Sequence, residues 1–129
     1  MNPTISVPIF VESRYKVDRK KIKKRVEDVL VKNGIVGSVE VSIAIIGDRK
    51  MKRLNSHYRG LDKTTNVLSF SQTEGEPTIM PTDILILGDV AISYPMAIKE
   101  ATDEEELVDD RICFLVEHGL LHLLGQHHE

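Results

Sequence analysis

The stretch Glu117-His118-Gly119-Leu120-Leu121-His122-Leu123-Leu124-Gly125-Gln126-His127-His128-Glu129 closes the chain and decides how the rest is read. Residues four apart share one face of a helix, so His118 and His122 offer two imidazoles to a single ion from one rigid element. Gly125 stands where such a helix is expected to stop, because glycine takes the left-handed conformation of a C-terminal cap without steric cost. From there the chain can double back and carry His128, or else His127, toward the same ion. Three nitrogen ligands with a fourth position open is the arrangement of a catalytic zinc, whereas a structural zinc closes with four protein ligands. The plainer alternative is histidines packed in a core or exposed at a helix end. Against it, two imidazoles on one apolar face compete for few polar partners, and four of the five histidines lie between positions 118 and 128. The fifth, His57, stands alone in a polar stretch and reads as a surface side chain.

The spacing matches the metalloprotease pattern H-E-x-x-H-x-x-G-x-x-H at all three histidines and the glycine, but Gly119 occupies the place of the glutamate. A peptidase needs that carboxylate beside the metal-bound water to move a proton to the leaving amine. Glu117 does not replace it, because its side chain leaves the helix about 100° from that of His118, on the other side from position 119. An RNA phosphodiester, whose own 2′-hydroxyl can help, depends less on such a base.

Three segments then carry a resemblance to a known family. The run from His118 to His128 resembles the H-G-x-L-H-L-x-G-Y-D-H signature of the YbeY family of bacterial metal-dependent endoribonucleases, implicated in ribosomal RNA maturation and ribosome quality control. Residues 55–70, Asn55-Ser56-His57-Tyr58-Arg59-Gly60-Leu61-Asp62-Lys63-Thr64-Thr65-Asn66-Val67-Leu68-Ser69-Phe70, are similar to its N-x-x-x-R-x-x-D-x-P-T-D-V-L-S-F stretch. Gly88-Asp89-Val90-Ala91-Ile92-Ser93 resembles its G-D-I-x-I-S stretch. The departures are Gln126-His127 for Tyr-Asp, Thr64 for proline and Asn66 for aspartate, which change the rigidity and one charge of the middle loop. Family spacing favours His128 over His127 as the third ligand. Family members continue past the third histidine, whereas this sequence ends one residue later. Either a tail follows or the metal holds the end down.

The resemblance implies a single zinc ion held by His118, His122 and His128, although imidazole-rich sites also accept nickel, copper or iron. It implies Arg59 as a clamp on the scissile phosphate, a guanidinium offering paired donors and permanent charge. His118 is then catalytic through the ion it holds. Asn55, Asp62, Ser69 and Asp89 are expected to shape the cleft or support the ligands. The implied partner is RNA, ribosomal RNA or ribosomal particles, with no membrane. Two alternatives stay in view: a metallopeptidase-like or other zinc hydrolase, and a non-catalytic ribosome-assembly factor with a structural metal.

Composition fits one soluble enzyme domain spanning residues 1–129, with 41% hydrophobic residues and enough length to bury a core. No signal-like or membrane-spanning run is present, and the single cysteine, Cys113, points to a core position in a protein of the reducing cytoplasm. The net charge of −3 hides a division. Residues 1–63 hold fifteen Lys and Arg against seven Asp and Glu, and residues 64–129 hold two against thirteen. Lys20, Lys21, Lys23, Lys24 and Arg25 form either a track for phosphates or a solvated helix face.

Periodicity supplies the elements. Strands are expected at 5–12, 39–46, 66–71 and 83–92, the last two separated by the polar Thr73–Pro77 loop. A helix over 18–33 places Ile22, Val26, Val29 and Leu30 on one face, and another runs from an Asp48 cap to Tyr58, ending near Gly60. A short helix starts around Pro95. The acidic run Asp103–Glu106, with Asp109 and Asp110, opens the long C-terminal helix by meeting its positive dipole end. The expected fold is α+β: a small mixed sheet of about four strands with packed helices, the metal helix at the C-terminus.

Overall fold

The structure, a computed structural model, describes residues 3–12, 14–71 and 84–127, with residues 126 and 127 described through their backbone alone. Its elements are β1 (Thr4–Ser6), β2 (Ile9–Val11), α1 (Arg19–Lys32), β3 (Ser38–Ile46), α2 (Asp48–Arg59), β4 (Val67–Phe70), β5 (Leu85–Ser93), α3 (Tyr94–Asp103) and α4 (Val108–His127). The fold is α+β around a mixed sheet.

The sheet is ordered β1-β3-β5-β4, with β2 joining β1 along the same edge of β3. The expected strand over 5–12 is therefore one edge in two pieces. Pro8 causes the break: it has no N–H to donate to a ladder, yet its carbonyl still accepts from the Ile43 N–H at 2.9 Å. β1 and β2 run parallel to β3, which runs parallel to β5. β4 closes the other edge antiparallel to β5, pairing Val67 with Ile92 and Ser69 with Val90.

Alternation along the strands divides the core in two. Val39, Val41, Ile43 and Ile45 of β3 join Val90 and Ile92 of β5 under α1, α3 and α4. Ala44 and Ile46 point the other way, with Ala91 and Leu68, against Met51 and Leu54 of α2. The sheet thus lies between α2 on one face and the remaining helices on the other. Cys113 is fully buried in the larger cluster, and burial pushes its thiol pKa up.

Local signals explain the helix starts, with three corrections. Asp18, where the expected helix began, is the cap of α1, accepting from the Lys21 N–H at 3.1 Å, and Ser93 caps α3 ahead of Pro95. Asp48 does not cap α2; Gly47 takes that position. Lying inside the first turn, Asp48 instead accepts from the hydroxyls of Ser93 (2.6 Å) and Thr64 (3.0 Å), joining the starts of α2 and α3 to the loop before β4. Only Asp109 and Asp110 of the acidic run open α4; Asp103 ends α3, and the rest forms the turn between the helices. Gly125 does not stop α4, which continues to His127. An added Cβ there would meet nothing within 4 Å, so neither a tight turn nor close packing acts on it. The Thr73–Pro77 loop and His128 lie outside the described residues. Among those described, no helix is long and apolar enough to cross a membrane.

Candidate metal centre and phosphate cleft

α4 lies over β4 and β5 because Gly119 lets it. A Cβ at position 119 would come 2.7 Å from Val90 Cγ1 and 3.2 Å from Val67 Cγ2, so only glycine allows this approach of helix to sheet. The position that holds a base in metalloproteases is here the contact point with the sheet, and a glutamate has no room in it. Glu117 is also out of reach, paired with Arg25 of α1 at 3.1 Å.

One turn apart on the same helix, His118 and His122 line a cleft of about 440 Å³ with Arg59 and Ser69. Strand alternation puts Val67 and Ser69 on the α4 side of β4 and Leu68 and Phe70 on the other. Ser69 is 6% exposed, and its Oγ lies 2.7 Å from His122 Nδ1, fixing the ring by a hydrogen bond. In the tautomer in which Nδ1 donates to Ser69, Nε2 keeps its lone pair for a ligand.

The other wall comes from the end of α2. Gly60 adopts the left-handed conformation, φ 68°, that terminates the helix just after Arg59. The buried Asn55 donates its Nδ2–H to the Lys63 carbonyl at 2.8 Å and folds the following loop back over the helix end. That brings Lys63 and Asn66 to the cleft, and Asn66 donates to Glu100 of α3 at 2.9 Å. Thr64, where proline is the family residue, is pinned to Asp48 instead. Two cations, Arg59 and Lys63, line the cleft, and no carboxylate of the described residues does.

The structure thus brings together Arg59, His118, His122, Asn55 and Ser69, and leaves others out. Asp62 is exposed and paired with Lys52 at 3.7 Å, in a separate groove. Asp89 sits on β5 in register with Ser42 and Phe70, away from the cleft lining. Among the described residues no three His, Cys, Asp or Glu side chains converge on one point, and the third expected ligand, His128, is not among them. Lys63 was not legible as a site residue: a lysine in a polar loop is unremarkable until the Asn55 hydrogen bond shows where the loop goes.

Among the described residues, a histidine pair on one helix and two cations line a single cleft to which no carboxylate contributes. The chain belongs to the endoribonuclease YbeY family, whose profile matches residues 9–129. It is 36% identical over 126 residues to the endoribonuclease YbeY of Roseiflexus castenholzii, covering 97% of this chain and 79% of that protein. It is 37% identical over 118 residues to that of Geobacter sulfurreducens (92% and 77%), and 38% identical over 108 residues to that of Pelotomaculum thermopropionicum (84% and 71%). A solution structure of a Thermotoga maritima protein shares the fold, with a TM-score of 0.58 and 24% identity over 91% of this chain and 71% of that one.

Proposed function

We propose that this protein is a metal-dependent endoribonuclease that cleaves single-stranded RNA in ribosomal RNA maturation and ribosome quality control, as one domain acting in the cytoplasm. The observation that carries the reading is the pair His118 and His122, one ring anchored by Ser69, in the same cleft as Arg59. The donor set fits a divalent ion: two imidazoles at helical spacing, one with its second nitrogen occupied. His118, His122 and His128 are the ligands proposed, and zinc is the ion. Bound there, the ion supplies Lewis-acid charge for a phosphoryl oxygen and a water of lowered pKa.

The remaining work falls to the chain. Arg59 gives paired N–H donors to the non-bridging phosphate oxygens, and Lys63 adds a second positive charge. Asn55 holds the loop that carries Lys63. The absence of a carboxylate from the described cleft lining removes both repulsion toward the phosphate and the base that amide hydrolysis needs. A purified sample assayed on single-stranded RNA and on a peptide library, with and without chelator, tests the reading. RNA cleavage lost with chelator and no peptide cleavage is the expected result; peptide cleavage, or RNA cleavage indifferent to chelator, contradicts it.

A further inference from the structure

Sequence alone drew attention to the cations of α1 as a phosphate track, yet the structure gives three of them acidic partners. Lys21 pairs with Asp110, Arg25 with Glu117 at 3.1 Å, and Lys24 with Asp28 at 3.4 Å. The first two contacts tie α1 to the side of α4 that carries Asp110 and Glu117, whereas His118, Gly119 and His122 face the cleft.

The cations of α2 are arranged differently. A groove of about 540 Å³ is lined by Arg49, Lys52, Arg53, Ser56, His57 and Asp62. Its one carboxylate, Asp62, pairs loosely with Lys52 at 3.7 Å, both side chains being more than half exposed. Among the described residues, no carboxylate pairs with Arg49 or Arg53. Lys52 and Arg59 are seven residues apart, so they leave the helix within about 20° of each other, and Arg49 and Arg53 follow on the adjoining strip of its surface. Arg59 therefore stands on the border between this groove and the cleft of the two histidines.

We propose that the outer face of α2 is a second phosphate-contact surface, on which Arg49 and Arg53 hold the backbone of a single-stranded RNA whose scissile phosphate sits at Arg59. The inference rests on the endoribonuclease reading and adds a path for the strand beyond the cleft. Both arginines are exposed and take no part in the folding contacts described above, so their replacement leaves the fold intact. Permanent charge and forked donors suit them to phosphate oxygens without regard to base.

The test compares Arg49→Gln/Arg53→Gln with wild type and with Lys20→Gln/Lys23→Gln, measuring anisotropy of a labelled oligouridine long enough to span groove and cleft across a salt series. Loss of two single-strand phosphate contacts lowers the slope of log K against log salt by about 1.4 and weakens binding about 10- to 100-fold at about 50 mM salt. The α1 variant, whose lysines lie on the other face of the sheet from α2, is expected to keep the wild-type slope. With the α2 variant, KM for the long RNA rises while kcat is unchanged, and cleavage of a trinucleotide confined to the cleft is unaffected. An unchanged slope in the α2 variant, with wild type still binding and cutting RNA, overturns this inference alone. Failure of wild type to bind RNA overturns it together with the endoribonuclease reading.

Discussion

At the scale of single residues, Ser69 is the most informative side chain beyond the histidines. Its hydroxyl orients the His122 ring, and supports of this kind are worth about 10- to 100-fold in metal affinity. Ser69→Ala is expected to lose that much affinity in a metal titration while melting like wild type without metal; unchanged affinity would reduce Ser69 to packing. Arg59 has a sharper test. An ammonium does not reproduce forked donation, so Arg59→Lys should recover little of the loss in Arg59→Ala, which is on the order of 10²–10³ in single-turnover rate for a pre-organised donor to a developing anion. Equal rates in all three proteins would leave it a surface residue. Gly119 is fixed by space: Gly119→Ala forces a methyl to 2.7 Å from Val90 Cγ1, and overpacking of this kind costs about 1–3 kcal/mol in denaturant unfolding.

At the scale of elements, period and caps were readable wherever local chemistry decides. The apolar face of α1, the alternation of β3 and the glycine after α2 all lie where sequence puts them, because propensity, burial and turn conformation agree there. Asp48 shows where that reading stops. As a capping type before a helical pattern it looks like a cap, but its partners Ser93 and Thr64 lie 45 and 16 residues away, which no local rule sees. The same residue carries a prediction. Removing the acceptor in Asp48→Ala leaves the fully buried Ser93 hydroxyl without it, a cost of about 1–3 kcal/mol that chemical denaturation would register. A stability equal to wild type would mean that this junction contributes nothing. Gly125 is the opposite case: glycine is also tolerated at an exposed position inside a helix, and α4 continues through it.

At the scale of the whole molecule, three of the described groups shape the response to alkali. Burial raises the Cys113 thiol above its ordinary value of 9.0 and the Tyr15 phenol above 10.0, and the hydrogen bond that Lys21 donates to Asp110 raises Lys21 above 10.5. A raised folded-state pKa means that the unfolded chain loses its proton first, so the stability is intact below these ordinary values and falls as pH climbs past them. Calorimetry should find a melting temperature insensitive to these groups at neutral pH and declining above about pH 9, with the thiol unreactive until the protein unfolds. A rise in stability over that range would contradict the assignment. The fold was largely legible from periodicity, but the two-sided cleft was expected only through the family resemblance, since Arg59 and Ser69 meet the histidines only once β4 is paired with β5 and covered by α4. The central claim is that His118 and His122 hold the ion that cuts RNA. Single-turnover cleavage of single-stranded RNA by wild type and by His118→Ala/His122→Ala, each with metal content determined, tests it most directly. The account predicts one ion and cleavage abolished by chelator and restored by metal in wild type, with neither ion nor cleavage in a variant that remains folded. Cleavage by that variant at the wild-type rate would contradict it.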